Sequence, residues 1–205
     1  HPEFNLSTSR YTDFGTPTRF IREYVFDDIN KQITPGLGDV VALRMRVTNS
    51  YDGSLALKIV LDAQRLACKN GMIIPKSLIN INAKHRQGLT IDLDPDQFSS
   101  SLDKFAQETT RWKQWAHSPM LEDRVKTLVL KHFREPSKRT VAYIDKRYDM
   151  YKQHMGQTMW SYFNALTDWS THSTKGPVQN PLSALEKEVQ VQKVITSKDF
   201  LEMAA

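Results

Sequence analysis

Residues 40–61 carry the pattern that most restricts how this chain can fold. Val40–Thr48 reads VVALRMRVT, with Val41, Leu43, Met45 and Val47 on one side and Ala42, Arg44 and Arg46 on the other. A period of two with one apolar side is a strand with one buried face. Asn49–Ser54 (NSYDGS) interrupts it, and its Asp52-Gly53 pair is turn chemistry, because glycine supplies the positive φ of a tight hairpin. Leu55–Leu61 (LALKIVL) returns as the partner strand. Two such runs across a short turn predict an antiparallel hairpin, and a hairpin needs further strands or a helix layer to cover its apolar face. Thr18–Asn30 fits a strand or a helix. Asp62–Cys68 fits a strand end or a short helix, and Asn70-Gly71 is a second turn signal. Met72–Pro75 and Ser77–Ala83 read as short extended pieces.

After Asp94-Pro95-Asp96 the period changes to that of helices. Ser99–Trp115 opens on a serine cap and spaces Leu102, Phe105, Thr109 and Trp112 along one side. Met120–Phe133, Thr140–Met155 and Gln157–Thr171 follow, separated by Glu135-Pro136 and Gly156. Trp160 and Trp169 are nine residues apart and fall on opposite sides of their helix, so one is expected on the sheet and the other on a neighbouring helix or a partner subunit. The fold class expected is α+β: a mainly antiparallel β front half with a β-hairpin, then a helical C-terminal half. Residues 1–17, rich in Ser, Thr, Pro and Gly, are expected as a flexible arm. Residues 18–175 form a single α+β domain, and residues 176–205 form a linker and a C-terminal helix over Leu182–Met203.

Composition narrows the function classes. One cysteine leaves no internal disulfide, and no Cys/His spacing suits a metal, so a reducing compartment, the cytoplasm, is expected. No apolar run is long enough for a membrane span, and no secretory signal is expected from residues 1–4. Gly36-Leu37-Gly38 lacks the following helix of a phosphate loop, and there is no HExxH. Cys68 is expected as a small core residue, with His85 its nearest histidine in sequence. Asp92, Asp94 and Asp96 look like a carboxylate cluster, but Pro95 and the missing later Glu spoil a calcium loop. No cofactor, metal or catalytic residue is expected.

Charge is the positive signal. The net charge is +5, and between Ala63 and Ile91 five basic residues stand with no acidic one. Lys104–Lys152 holds twelve Lys/Arg against six Asp/Glu. A basic middle is the footprint of a polyanion partner. Trp112 and Trp115, three apart in a basic stretch, are expected on one buried helix face. Lys138-Arg139 and Lys146-Arg147 flank a helix that also carries Tyr143, Tyr148 and Tyr151, and only its charged side is a candidate surface.

Asn49-Ser-Tyr-Asp-Gly-Ser54, Arg65-Leu-Ala-Cys68-Lys-Asn70-Gly71 and Thr158-Met-Trp160-Ser-Tyr-Phe-Asn164-Ala-Leu-Thr-Asp168-Trp169 together resemble the phage/plasmid-like family grouped as domain of unknown function 932. Tyr51 stands where that family usually has His. The resemblance implies a gene of a phage or mobile element and supplies no reaction. The function expected is a DNA-binding protein, for single strands, in replication or recombination. Arg44, Arg46, Arg65, Lys69, Asn70, Lys84 and Arg86 would contact the nucleic acid, and copies would oligomerise along the strand. The alternatives are a non-enzymatic protein that binds a host protein in counter-defence, and a metal-dependent nuclease using Asp52, Asp92 or Asp94. Arg65 and Asn70 also have a purely structural reading: Arg65 hydrogen-bonding loop carbonyls or pairing with Asp52, and Asn70-Gly71 as turn chemistry.

Overall fold

A computed structural model of the chain describes residues 10–16, 18–35, 37–68, 70–72, 74, 79–84, 94–173 and 181–203. They form strands β1 (Arg10–Thr16), β2 (Arg19–Thr34), β3 (Asp39–Ser50), β4 (Leu57–Arg65), β5 (Gly71–Met72) and β6 (Ile79–Ala83). Helices α1 (Pro95–His117), α2 (Glu122–His132), α3 (Lys138–Met155), α4 (Met159–His172), α5 (Pro181–Ile195) and α6 (Lys198–Met203) follow. The class is α+β, as expected. All pairings are antiparallel: β1, β2, β3 and β4 lie side by side, and both β5 and β6 pair with the far edge of β4.

Register follows from the turn. Arg44 pairs with Asp62, Met45 with Leu61 and Val47 with Ile59, so Gly53 lies midway between every pair. Gly53 has φ 71°, the left-handed conformation that glycine adopts without a Cβ penalty. Hydrogen bonds from the Ser54 hydroxyl and amide hold the Asp52 carboxylate and pull its pKa down to about 2. Arg19 pairs with this same Asp52, at 3.4 Å.

Three elements differ from the sequence expectation. Arg10–Thr16, expected in the loose arm, is strand β1, paired residue for residue with β2. Thr18–Asn30, ambiguous by pattern, is strand because β2 is hydrogen-bonded on both edges, to β1 and to β3. The C-terminal helix is two helices, broken at Thr196-Ser197, where the Ser197 hydroxyl accepts from the Phe200 amide and starts α6.

One sheet face carries Phe26, Val41, Leu43, Leu61 and Ala63, all buried in the main core with Phe105 and Trp112 of α1. Trp112 and Trp115 are both buried, as expected of a shared core face: Trp112 lies 5.9 Å from Trp160, and Trp115 meets Phe163 and Phe200 edge to face. Helix α4 is buried from Met159 to Ser170 on all sides. Its buried polar donors bond within or near the helix: Asn164 Nδ2 donates to the Trp160 carbonyl, Thr167 to Phe163 and Ser170 to Thr167. Trp160 and Trp169 separate as their spacing predicts. Trp160 reaches β3, and Trp169 packs on Phe133 beyond α2, with ring centroids 4.8 Å apart.

Two outcomes test this packing. Gly53→Val should cost about 1 kcal/mol or more in urea unfolding, because valine is strained at positive φ. Tyr148 is buried with a hydroxyl that has no partner among the described residues, and burial pushes its pKa up to about 12. The unfolded tyrosine loses its proton first, so this contribution is whole below pH 10 and is lost as pH rises towards 12. Tyr148→Phe should therefore be no less stable at pH 7 and should lose less stability than the parent between pH 10 and 12.

Candidate functional site

The second sheet face is polar yet largely covered. Arg44 is 3% exposed and holds Asp62 in two hydrogen bonds, Nε to Oδ1 at 2.7 Å and Nη2 to Oδ2 at 3.0 Å, while its Nη1 reaches Glu23 at 2.9 Å. Arg46 shares Asp62 at 2.6 Å and grips Glu188 of α5 at 2.6 and 2.9 Å. Burial opposes both guanidinium charges, but Asp62 outweighs it, with Glu23 at Arg44 and Glu188 at Arg46, and both pKa values end above the ordinary arginine value. The Arg44 guanidinium also lies where a Cβ on Gly71 would be, 2.7 Å from Nη2. Glycine follows Asn70 because any side chain there displaces Arg44.

The other face leads to the junction of the sequence motifs. Arg65, at the end of β4, is 7% exposed and bonds through Nε to Asp39 Oδ1, so its partner is Asp39 and not Asp52. Asp39 is fully buried, and its Oδ2 accepts from Trp160 Nε1 at 2.6 Å. Arg65 Nη1 lies 3.5 Å from Cys68 Sγ, and its guanidinium sits over the Tyr151 ring. Asn70 is fully buried: its Nδ2 donates to the Asn164 carbonyl at 3.3 Å and to the Tyr151 hydroxyl at 3.1 Å. That orientation turns Asn70 Oδ1 to His172 Nε2 at 3.0 Å, with the Cys68 carbonyl at 3.1 Å. Two acceptors face one ring nitrogen, so Nε2 carries the proton. The Gly71 amide donates to Thr171.

From Tyr151 the bonding continues outward. The Tyr151 hydroxyl donates to Asp168 Oδ2 at 2.9 Å, the Tyr143 hydroxyl to Oδ1 at 2.7 Å, and Arg147 Nε stands 2.9 Å from Oδ1. Burial pushes both tyrosines above their ordinary value, so they remain neutral donors. The hydrogen bond to Tyr143, with the Asp168 charge, keeps Arg147 above the ordinary arginine value despite its desolvation.

Tyr143, Arg147 and His172 end this bonding at the wall of a cleft of about 580 Å³ between α3, the end of α4 and α5. Arg139, Thr140, Lys146, Met150, Trp169, Ser173 and Lys187 complete its lining. Four cations and no carboxylate line it. Arg139 and Lys146 are exposed and have no carboxylate partner among the described residues. Lys187 donates to the Ser173 hydroxyl at 2.8 Å, and desolvation lowers its pKa.

Of the residues expected to meet a nucleic acid, Arg44, Arg46, Arg65 and Asn70 are inside the protein, bonded to its own groups. Lys84 is exposed, and Lys69 and Arg86 lie outside the described residues. Asp94 caps α1 by accepting from the Asp96 amide, Asp52 holds its own turn, and Asp92 lies outside the described residues. Among the described residues no group of three His, Cys, Asp or Glu could hold a metal, and no helix is long and apolar enough to cross a membrane. The charged side of α3 is legible in the sequence through Arg139, Lys146 and Arg147, but not the place of Tyr143 and Met150 beside them. His172, Trp169 and Lys187 were not assigned to it, because only the packing of α4 and α5 brings them there.

The arrangement is an α+β domain whose buried polar centre is made by three segments far apart in the chain, Asp39, Arg65–Gly71 and Tyr151–His172. The family model described as Domain of unknown function (DUF932) matches residues 17–198, and the chain belongs to that family. No curated protein and no solved structure matches it.

Removing Arg65 leaves Asp39 buried without its cation. Arg65→Met should cost about 3–5 kcal/mol in urea unfolding, whereas Lys146→Ala, on the surface, should stay within about 0.5 kcal/mol of the parent.

Proposed function

We propose that this protein binds nucleic acid without chemistry of its own, and that its ligand is single-stranded DNA handled in replication or recombination of a phage or mobile element. The observation that carries this reading is the cleft of α3, α4 and α5, whose lining has four cations and no carboxylate. Cations so gathered attract phosphate, and phosphate contacts supply most sequence-independent affinity. Arg139 and Lys146 are the outer contacts, while Arg147 and Lys187 stand further in. Arg44, Arg46, Arg65 and Asn70 then serve the site indirectly, by holding the sheet and motif junction behind it.

Labelled single- and double-stranded DNA titrated across a salt series tests the reading. Single-strand affinity should fall with salt, with a slope of about −0.7 per phosphate contact, or near −3 for four. The double variant Arg139→Ala/Lys146→Ala should bring the slope to about −1.4 with the melting temperature unchanged. No measurable binding at about 50 mM salt, where phosphate contacts are strong, would reject it and favour a protein partner.

A further inference from the structure

The aromatic rings of the cleft are already taken by its cations. Lys187 Nζ lies 5.5 Å over the Trp169 ring, whose other contact is Phe133. The Arg147 guanidinium lies 5.4 Å over Tyr143. A ring under a cation steadies that cation through its quadrupole and gives one face to it. This favours phosphate contact over base stacking in the cleft.

Its size and charge go further. About 580 Å³ is the space of a small-molecule pocket, whose common range is about 300–1,000 Å³, so a strand end or one nucleotide fits within it. Asp168 already offsets the charge of Arg147, and an internal phosphodiester brings one further negative charge to the lining. A phosphate monoester brings about −1.5 to −2 near pH 7 and three acceptor oxygens. The donors suit such a group: Arg139 presents a planar guanidinium fork, and Lys146 adds a compact ammonium. Ser173 accepts from Lys187, which leaves its own hydroxyl hydrogen to donate outward.

We infer that the cleft recognises a terminal phosphate monoester, carried by a strand end or a nucleotide, in preference to the phosphodiesters within a strand. This rests on the cleft being the phosphate site proposed above.

Fluorescence polarisation on the full chain tests it. The ligands are one single-stranded oligonucleotide sequence with a 5′-phosphate, with a 3′-phosphate or with hydroxyls at both ends, and adenosine monophosphate or adenosine as competitor. A phosphorylated end should bind about tenfold tighter, the effect of one added charge-assisted contact. Adenosine monophosphate should compete and adenosine should not. Arg139→Ala, Lys146→Ala and Ser173→Ala should each shrink the end preference while the melting temperature holds. Strong competition by adenosine monophosphate at concentrations near the oligonucleotide affinity identifies a nucleotide site. Weak competition beside a clear end preference identifies a strand end. If all three oligonucleotides bind alike with steep salt dependence, this inference fails and DNA binding stands. If adenosine monophosphate binds but no oligonucleotide does, the inference stands and DNA binding fails. If nothing binds, both fail.

Discussion

The buried carboxylate of Asp39 is the tie on which the rest of the structure depends. It starts β3, accepts from Arg65 at the end of β4 and from Trp160 in α4, and takes a longer hydrogen bond from Thr34 of β2 at 3.3 Å. Sheet and helix layers thus share one charge. A carboxylate removed from water is tolerated only where cationic and neutral donors surround it, and those donors then have one place to be. Arg65 is held there and in turn supports Cys68 and Tyr151, and the Asn70 turn closes on α4 beside them.

The basic residues divide into two populations by this same physics. On the sheet, Arg44, Arg46 and Arg65 have carboxylates opposite or nearby, and their charges are cancelled inside the protein. On α3 the acids lie on other sides of the helix: Asp145 pairs with Lys126 and Asp149 with Lys152. That segregation leaves Arg139 and Lys146 facing the cleft, with Asp168 behind it held by Arg147 and two tyrosine hydroxyls. A net charge of +5 is modest for the whole chain, but it understates the local charge at that wall.

Some of this pairing is legible in the sequence. A hairpin folded about Gly53 sets Arg44 opposite Asp62, as the observed register has it, and a cross-strand pair of opposite charge is a stabilising one. Arg44 is thus legible as an internal cation from the turn position alone. The partner of Arg46 is not, because Glu188 is 142 residues away and arrives only when α5 crosses the sheet. Asp39 carries no mark of burial in its sequence, where it follows Gly36-Leu37-Gly38 like a turn residue.

By itself the sequence determined the alternating hairpin, its Asp-Gly turn, the helix spacing that buries Trp112 and Trp115, the opposite placement of Trp160 and Trp169, and the family motifs. These rest on local periods and turn chemistry, which act between residues close in the chain. Only the tertiary structure decided that β1 is a strand, that three arginines of the sheet are internal, and that α3, α4 and α5 enclose a cleft lined by four cations, with Asp168 behind it paired to Arg147. The physical reason is that a charge has no fixed meaning until its neighbours are known. The same guanidinium is a structural tie beside a buried carboxylate and a phosphate contact beside open water, and the long-range packing that chooses between them has no period to read.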